Sequence, residues 1–502
     1  MTEEKKSRRV FIQAAGAGVV GLAVGAAAGY YGRGPPAPPP EGVVTTVTRT
    51  ETATVTGPGV TPMAKPPAGL LPDAPKTLPH PIRWWGGSWA MYPEVVNDIK
   101  TDLGYDVTFD IISYEVIATK LIASGGLGWD VGLGSYHTYP TIKSGVVKPL
   151  PMSAVPRWQK GHMSSIEENP AGVVREKVYA DMLEEGLWVK GREGEMTYGI
   201  TPCSNWDSIG YNPEFLPYEE RGNLLRSASM EDVLNKEYKK LGIGYPHGPT
   251  EFYGYLGNYL EKSGQLAFDH GVSDPSRKEI DAMSDYITPY VKDGQFKTFW
   301  SDYGQCVSIL STREVIITPT WEPAVMDTRR AGTPCNYAAC KWGNYYWRSP
   351  DLLSAKTDLP DSALYSFLNW RASPTWTRFI ARNGYTTGAY LWDDNRALMG
   401  PEFFDWHHLG KSTYKPYEDW MKEVWPERPE FAKLLPRVGN ALFLPDKYNW
   451  STTEGKPDIR GNYKSQGSVE DKNSNLGMVQ YWPKESEYLV EALTKVVAQK
   501  PG

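Results

Sequence analysis

The chain has 502 residues, enough for two or three cores of ordinary size, and 13% of it is aromatic, with 19 Trp and 31 Tyr. Aromatics in such number line interfaces and ligand clefts as well as cores, because one ring joins apolar area to a polar handle. The formal charge is −6, and residues 1–33 carry five cations against two anions, so the remainder stands at −9; nucleic acid is excluded as a partner by that balance.

Ser7-Arg8-Arg9-Val10-Phe11-Ile12-Gln13 matches the twin-arginine export pattern, and Val10 to Gly32 follows as an uncharged stretch of mainly Gly, Ala and Val. Residues 1–33 therefore read as a twin-arginine signal or a membrane anchor. Ala26-Ala27-Ala28 suits a signal peptidase, while about 20 apolar residues also suffice to span a bilayer. Gly16-Ala17-Gly18-Val19-Val20-Gly21 spells a dinucleotide-binding pattern, but no strand precedes it and no acidic residue follows at the required distance. No cysteine occurs before Cys203, which excludes a lipobox. The protein is thus expected outside the cytoplasm, in the periplasm or on the cell surface, and anchored to the membrane if the segment is kept.

Residues 34–81 hold 13 Pro and 9 Thr without apolar periodicity, which predicts a disordered stalk. At roughly 3 Å per residue it would reach on the order of 100 Å. From Pro81 the chain alternates strand-like and helix-like segments, the pattern of an α/β fold. Ile82-Arg83-Trp84-Trp85 reads as a strand, Tyr92 to Leu103 as a helix, Tyr105 to Ile112 as a strand and Glu115 to Ser124 as a helix. Trp129 to Leu133 is a third strand, a helix runs to Gly145, and Val146-Val147-Lys148-Pro149-Leu150 follows.

Gly128-Trp129-Asp130-Val131, Ser135-Tyr136 and Ser144 to Leu150 lead a collinear series of motifs. Thr197-Tyr198-Gly199-Ile200-Thr201-Pro202, Ile209-Gly210-Tyr211-Asn212, Met230 to Asn235, and Val315 to Trp321 continue it. Gly343-Asn344-Tyr345-Tyr346-Trp347, Ala363 to Trp370 and Asn383-Gly384-Tyr385 complete it. Over about residues 82–390 the series resembles the extracellular solute-binding proteins of ABC transporters (family 1), in particular the spermidine/putrescine-binding branch. The resemblance implies an α/β, two-lobed periplasmic-binding-protein-like (type II) fold, with a cleft between lobes joined by crossing strands. It implies lobe 1 from 82–201 plus 322–385, and lobe 2 from 202–321 plus 386–502 with a Trp/Pro-rich C-terminal extension. It also implies a small-molecule ligand captured by hinge closure, and ABC permease subunits as partners.

Cleft candidates follow from the same alignment: Trp89 and Tyr92 after the first strand, Tyr136 after the third, and Trp206 with Asp207 at the first crossing. Glu251 lies near the second lobe's first strand, Trp321 and Glu322 end the return strand, and Trp347 sits on the next crossing. Aromatics around one organic cation contribute about 0.5–2 kcal/mol each, though flat sugar faces stack on the same rings. A polyamine is the first expectation for the ligand and a sugar the alternative. The sequence departs from the polyamine pattern two residues after Trp347, where Ser349 replaces an Asp; Asp207 and Glu322 are then expected to supply the negative charge. Of Trp84, Trp85 and Trp89, about half are expected in the core. Tyr345-Tyr346 looks like an iron-binding pair but falls on a different strand of this alignment.

No Gly-x-Ser-x-Gly, His-Glu-x-x-His or phosphate-cradling Gly-x-x-x-x-Gly-Lys occurs, so no enzyme, no cofactor and no metal is expected. A carboxylate-dependent glycoside hydrolase is the alternative from another class. His407-His408 reads as a solvated loop. Among the cysteines, Cys335 and Cys340 are expected to clip one loop and Cys203 with Cys306 to tie distant segments. Residues 390–485 show little periodicity; Asn449-Trp450-Ser451 is a glycosylation sequon, and Glu485 to Gln499 reads as a closing helix with Leu489, Leu493 and Val497 on one face.

Overall fold

The computed structural model describes residues 69–112, 116–135, 137–216, 227–331, 333–411 and 467–501. The expected signal, the first part of the stalk, Tyr136 and the sequon lie outside the described residues. Among the described residues no helix is long and apolar enough to cross a membrane.

The opening elements follow the sequence reading: β1 (Ile82–Gly86), α1 (Pro93–Leu103), β2 (Val107–Ile111), α2 (Ile117–Ala123) and β3 (Val131–Leu133). Pro93 starts α1, and Gly104 ends it in the left-handed conformation at φ 75°, which a side chain would resist. β1 pairs in parallel with both β2 and β3, so Ile82, Trp84, Val131 and Leu133 fill one core against Val95, Ile99 and Leu103 of α1. The helices α3 (Asp361–Trp370) and α4 (Pro374–Arg382) cover the same core through Leu364, Phe367, Trp370 and Trp376.

Two long strands carry the chain between cores. β4 (Gly199–Tyr211) and β5 (Asn344–Ser354) are buried along their whole length and run antiparallel. Ile200 through Asp207 of β4 face β5, whereas Ser208 through Tyr211 pair instead with β6 (Ile317–Thr320). β4 therefore changes partner between Asp207 and Ser208. β5 in turn pairs with β3 at its far end, giving the order β6-β4-β5-β3-β1-β2.

The second core gathers Ile209, Tyr211 and Ile317 with Phe252 and Leu256 of α5 (Pro249–Lys262) and Ile280, Met283 and Ile287 of α6 (Arg277–Lys292). The closing helix α7 (Ser486–Val497) adds Leu489 and Leu493, as its periodicity predicts. Two α/β cores joined by crossing strands are the architecture expected from the sequence.

Four expectations need correction. Residues 69–81 are laid against the first core: Leu70 and Leu78 pack on it, and the Tyr105 hydroxyl donates to the Pro75 carbonyl at 2.5 Å. The helix α8 (Glu322–Arg330), expected in lobe 1, packs Ala324 and Val325 with Trp300, Cys306 and Leu310 instead. Ala389, expected in lobe 2, lies in the first core. His407 and His408 are buried in a helix, Pro401–Leu409, where His408 stacks on Tyr390 at 4.5 Å and the His407 Nε2–H donates to the Tyr385 carbonyl.

Candidate functional site

The exchange of partners along β4 places Asp207 where the two cores meet, at the kind of switch point that binds ligands in α/β sheets. Its carboxyl group is buried. Oδ1 accepts the Trp347 indole N–H at 2.7 Å, and among the described residues Oδ2 has no hydrogen-bond partner of ordinary geometry. Burial raises the Asp207 carboxyl well above the usual carboxylate range, and the charge of Glu251 raises it further; the Trp347 and Tyr255 donors work in the opposite sense.

Glu251 lies in the first turn of α5, which begins at Pro249 and where an acidic side chain suits the helix dipole. Its Oε2 accepts the Thr250 hydroxyl at 2.9 Å, and its Oε1 lies 3.4 Å from the Gln480 amide nitrogen. Gln480 follows a strand that runs beside β5, β7 (Leu476–Val479), and its Oε1 accepts the Ser135 hydroxyl from the end of β3. Tyr255, one turn beyond Glu251, meets Tyr345 edge-on with ring centres 5.7 Å apart. Burial and the charges of Glu251 and Asp207 push the Tyr345 phenol up, so it stays protonated and available as a donor.

Trp347 links this acidic end to an aromatic one. Its ring meets Tyr385 at 5.9 Å, and the Tyr385 phenol is pushed up by burial and by neighbours that include Tyr92, Tyr303 and Asp327. Trp321 stacks with Tyr303 at 6.0 Å and meets Trp300 edge-on at 4.9 Å, while the Tyr303 hydroxyl donates to Asp327 at 2.8 Å. Tyr92 comes from the first core and packs on Phe379. Trp89 stands half-buried beside it, donating its indole N–H to the Ser349 hydroxyl at 3.2 Å.

The structure thus joins Asp207 to Trp347 and Trp321 to Tyr303 by direct contact, with Glu251 within electrostatic reach of Asp207 and Tyr92 within that of Tyr385. Glu322 begins α8 directly after Trp321 and is buried. Trp206 is placed elsewhere. Strand alternation turns it away from Asp207, into a core with Tyr346, Met326 and Phe403, and the Lys472 ammonium lies 4.4 Å from its ring centre. The same alternation separates Tyr345 from Tyr346, whose hydroxyl donates to the buried Glu167 at 2.7 Å, so the tyrosine pair does not converge on one ligand. Of the first-strand tryptophans, Trp84 is core and donates to Asp351, and Trp85 is partly buried with Lys120 over its ring.

Tyr255, Gln480, Tyr303 and Tyr385 are absent from the sequence candidates. Tyr255 had a signal: it lies four residues after Glu251 on a helix and so shares its face. Gln480 had none, since the short strand before it lies in the stretch without periodicity.

Neither expected disulfide forms. Cys203 is a free thiol of the first core, Cys306 is a free thiol with its sulfur 3.0 Å from the Thr320 hydroxyl, and Cys340 is also free. Packing places Cys306 and Cys335 in one cluster. Among the described residues, His80, Asp130 and Asp358 bring three potential metal-ligand atoms within 4.8 Å of one another. The Arg83 guanidinium already binds both carboxylates, at 2.7 Å and 3.0 Å, and supplies the positive charge there.

No family model matches the chain, and no curated protein matches it. The solved structures it resembles are substrate-binding proteins of ABC transporters. A spermidine/putrescine ABC transporter of Listeria monocytogenes is 15% identical with a TM-score of 0.49, covering 64% of this chain and 87% of that one. The spermidine/putrescine substrate-binding protein of Streptococcus pneumoniae is 16% identical with a TM-score of 0.46 and covers 64% and 87%. A solute-binding protein of Agrobacterium radiobacter K84, solved with ribitol, is 12% identical with a TM-score of 0.46 and covers 84% and 98%.

Proposed function

We propose that this chain is the extracytoplasmic solute-binding component of an ABC importer, and that it captures a small organic cation, a polyamine before others, between its two cores. The observation that carries the reading is the buried pair Asp207 and Glu251, set at the partner switch of β4 and walled by Tyr255, Tyr345 and Trp347. Two buried carboxylates are costly beside each other, and a cation placed between them relieves both the repulsion and the lost hydration. Aromatic walls add attraction for the same cation. A neutral sugar could use the rings and the hydrogen bonds but would bring no positive charge to the two carboxyl groups. Capture by closure of the two cores, delivery to a permease, and export by the twin-arginine route belong to the same reading, supported by the motifs of residues 7–13 and 82–390. So does the view that the chain binds its solute unchanged.

The test is a thermal-shift and calorimetric series with putrescine, spermidine, γ-aminobutyrate, ribitol and a maltooligosaccharide. A ligand at 100 times its Kd should stabilise the fold by about 2.7 kcal/mol. The expected result is stabilisation by an amine. Stabilisation by the polyol or the sugar alone would overturn the cation reading and leave the binding-protein reading in place.

A further inference from the structure

The residues that leave β7 are fastened on one side and reach across to the other. The fastening is to the loop between α5 and α6. The Ser273 hydroxyl donates to the Val479 carbonyl at 2.6 Å and accepts the Val479 N–H at 3.3 Å. The buried Asp274 accepts the Lys484 backbone N–H at 2.8 Å and the Lys484 ammonium at 2.7 Å. Gln480 and Tyr481 stand between these two anchors. The Gln480 Oε1 accepts the Ser135 hydroxyl at 3.2 Å, while its amide nitrogen lies 3.4 Å from Glu251 at the start of α5. Tyr481 sets its ring against Tyr139, with centres 5.8 Å apart and planes inclined by 30°. Ser135 and Tyr139 both follow β3, whose Val131 and Leu133 fill the first core, whereas α5 and α6 fill the second. Pairing with β5 and the two anchors already hold the segment in place, so the contacts of Gln480 and Tyr481 tie the two cores across it.

We propose that Gln480 and Tyr481 form a clasp between the two cores, which holds the closed protein shut and so sets how long a captured solute stays. The inference rests on the reading of the chain as a binding protein that closes on its solute. One neutral hydrogen bond and one aromatic pair are each strong enough to shift an open–closed balance severalfold, and weak enough to break when the solute is released. The clasp and the proposed site also share a residue, because Gln480 meets Glu251 on one side and Ser135 on the other. Both residues therefore act as positioning groups, through the closed arrangement that they favour.

Stopped-flow tryptophan fluorescence on the full chain, following release of putrescine, tests the clasp. Gln480→Ala and Tyr481→Ala should each raise koff by about two- to tenfold with little change in kon. Tyr481→Phe, which keeps the ring, should keep the wild-type rate, an outcome that loss of packing alone would not give to one variant and deny to the other. Putrescine binding with koff unchanged in both alanine variants overturns the clasp and leaves the cation reading intact. If putrescine does not bind, the cation reading fails, and small-angle scattering of the ligand-free full chain decides on the clasp. The variant carrying both alanine changes should then have a larger radius of gyration than wild type, and equal radii overturn the clasp.

Discussion

Trp347 and Asp207 lie on neighbouring antiparallel strands, β5 and β4, and the indole N–H of the first binds the carboxylate of the second at 2.7 Å. The bond fixes Asp207 where β4 passes from one core to the other, yet it satisfies only one carboxylate oxygen. On the proposed reading this arrangement trades stability for ligand affinity. The folded-state carboxyl titrates above its unfolded value, so its ionisation is unfavourable in the fold, and stability falls as pH rises from about 4 through the folded value. Asp207→Asn removes that term. In ligand-free protein at neutral pH the variant should be more stable than wild type in chemical denaturation, and less sensitive to pH in the acid range. Its amine affinity should fall by about 3–5 kcal/mol, the usual effect of removing one partner of a buried ion pair, which is at least about a hundredfold in Kd.

Trp206 and Trp321 were equivalent candidates in sequence, and the structure separates them. Trp206 is enclosed by core residues, so Trp206→Ala should destabilise the protein by about 3–5 kcal/mol through the cavity it leaves. Trp321 is half-buried against Tyr303 and Trp300, so Trp321→Ala should weaken amine binding by about 0.5–2 kcal/mol at a smaller loss of melting temperature. Thermal melts and titration calorimetry on both variants check the contrast. Equal affinity losses with equal melting shifts would contradict it.

That contrast shows which part of the site the sequence could express. The contact between Trp347 and Asp207 was legible because both sit at fixed offsets from strand motifs, and a crossing strand carries its register with it. Trp206 was read together with Asp207, whereas adjacent strand residues face opposite sides and the structure sets Trp206 among core residues. The α/β order of 82–150 was legible from periodicity. The partner change within β4 was not, because thirteen consecutive buried residues carry no alternation to mark it. The histidines of Pro401–Leu409 were read as solvated because their polarity outweighed a helix whose Phe403, Phe404 and Trp406 are buried beside them. The strand that delivers Gln480 pairs with a segment more than 120 residues away, a relationship no local pattern records.

His137, directly before the short helix Thr138–Lys143, shows the opposite acid response to Asp207. Burial lowers its imidazole from 6.5 to about 3, so it stays neutral in the fold while the unfolded chain protonates near 6.5. Its contribution is fully present above that value and is lost as pH falls from about 6.5 towards 3, at up to about 1.4 kcal/mol per pH unit. His137→Gln should flatten the stability profile between pH 6.5 and 4. Urea denaturation at half-unit steps reads the slope directly, and an unchanged slope would assign the acid sensitivity to another group.

Asp351 lies in the first core with Arg371, both side chains fully buried and joined at 2.7 Å. The Trp84 indole donates to the other carboxylate oxygen at 3.0 Å, and the guanidinium also reaches the Ala90 carbonyl and lies over Trp376. This network anchors β5 to β1 and α3. Arg371→Met leaves Asp351 charged and without its cation, for an expected loss of about 3–5 kcal/mol. The double change with Asp351→Asn should recover part of it, because the stranded charge and not the lost packing dominates. A double variant no more stable than Arg371→Met would show that packing dominates instead.

The proline-rich segment ends on the protein and does not hang free of it up to Pro81. Leu70 and Leu78 cover part of the first core, the Leu71 N–H donates to Ser366, and the His80 ring meets Asp358 at 2.9 Å. Hydrogen bonding to the Pro81 carbonyl and to Asp358 raises the His80 imidazole, so its contribution is present below the unfolded value and is lost as pH rises through the folded one. A chain starting at residue 82 exposes the apolar patch under both leucines and should lose about 1–3 kcal/mol relative to one starting at residue 69. The difference should be larger at pH 5.5 than at pH 8, because the His80 contribution is lost as pH rises through its folded value. Guanidinium denaturation of the two chains at both pH values measures it, and equal midpoints throughout would mean that the segment lies on the core without stabilising it.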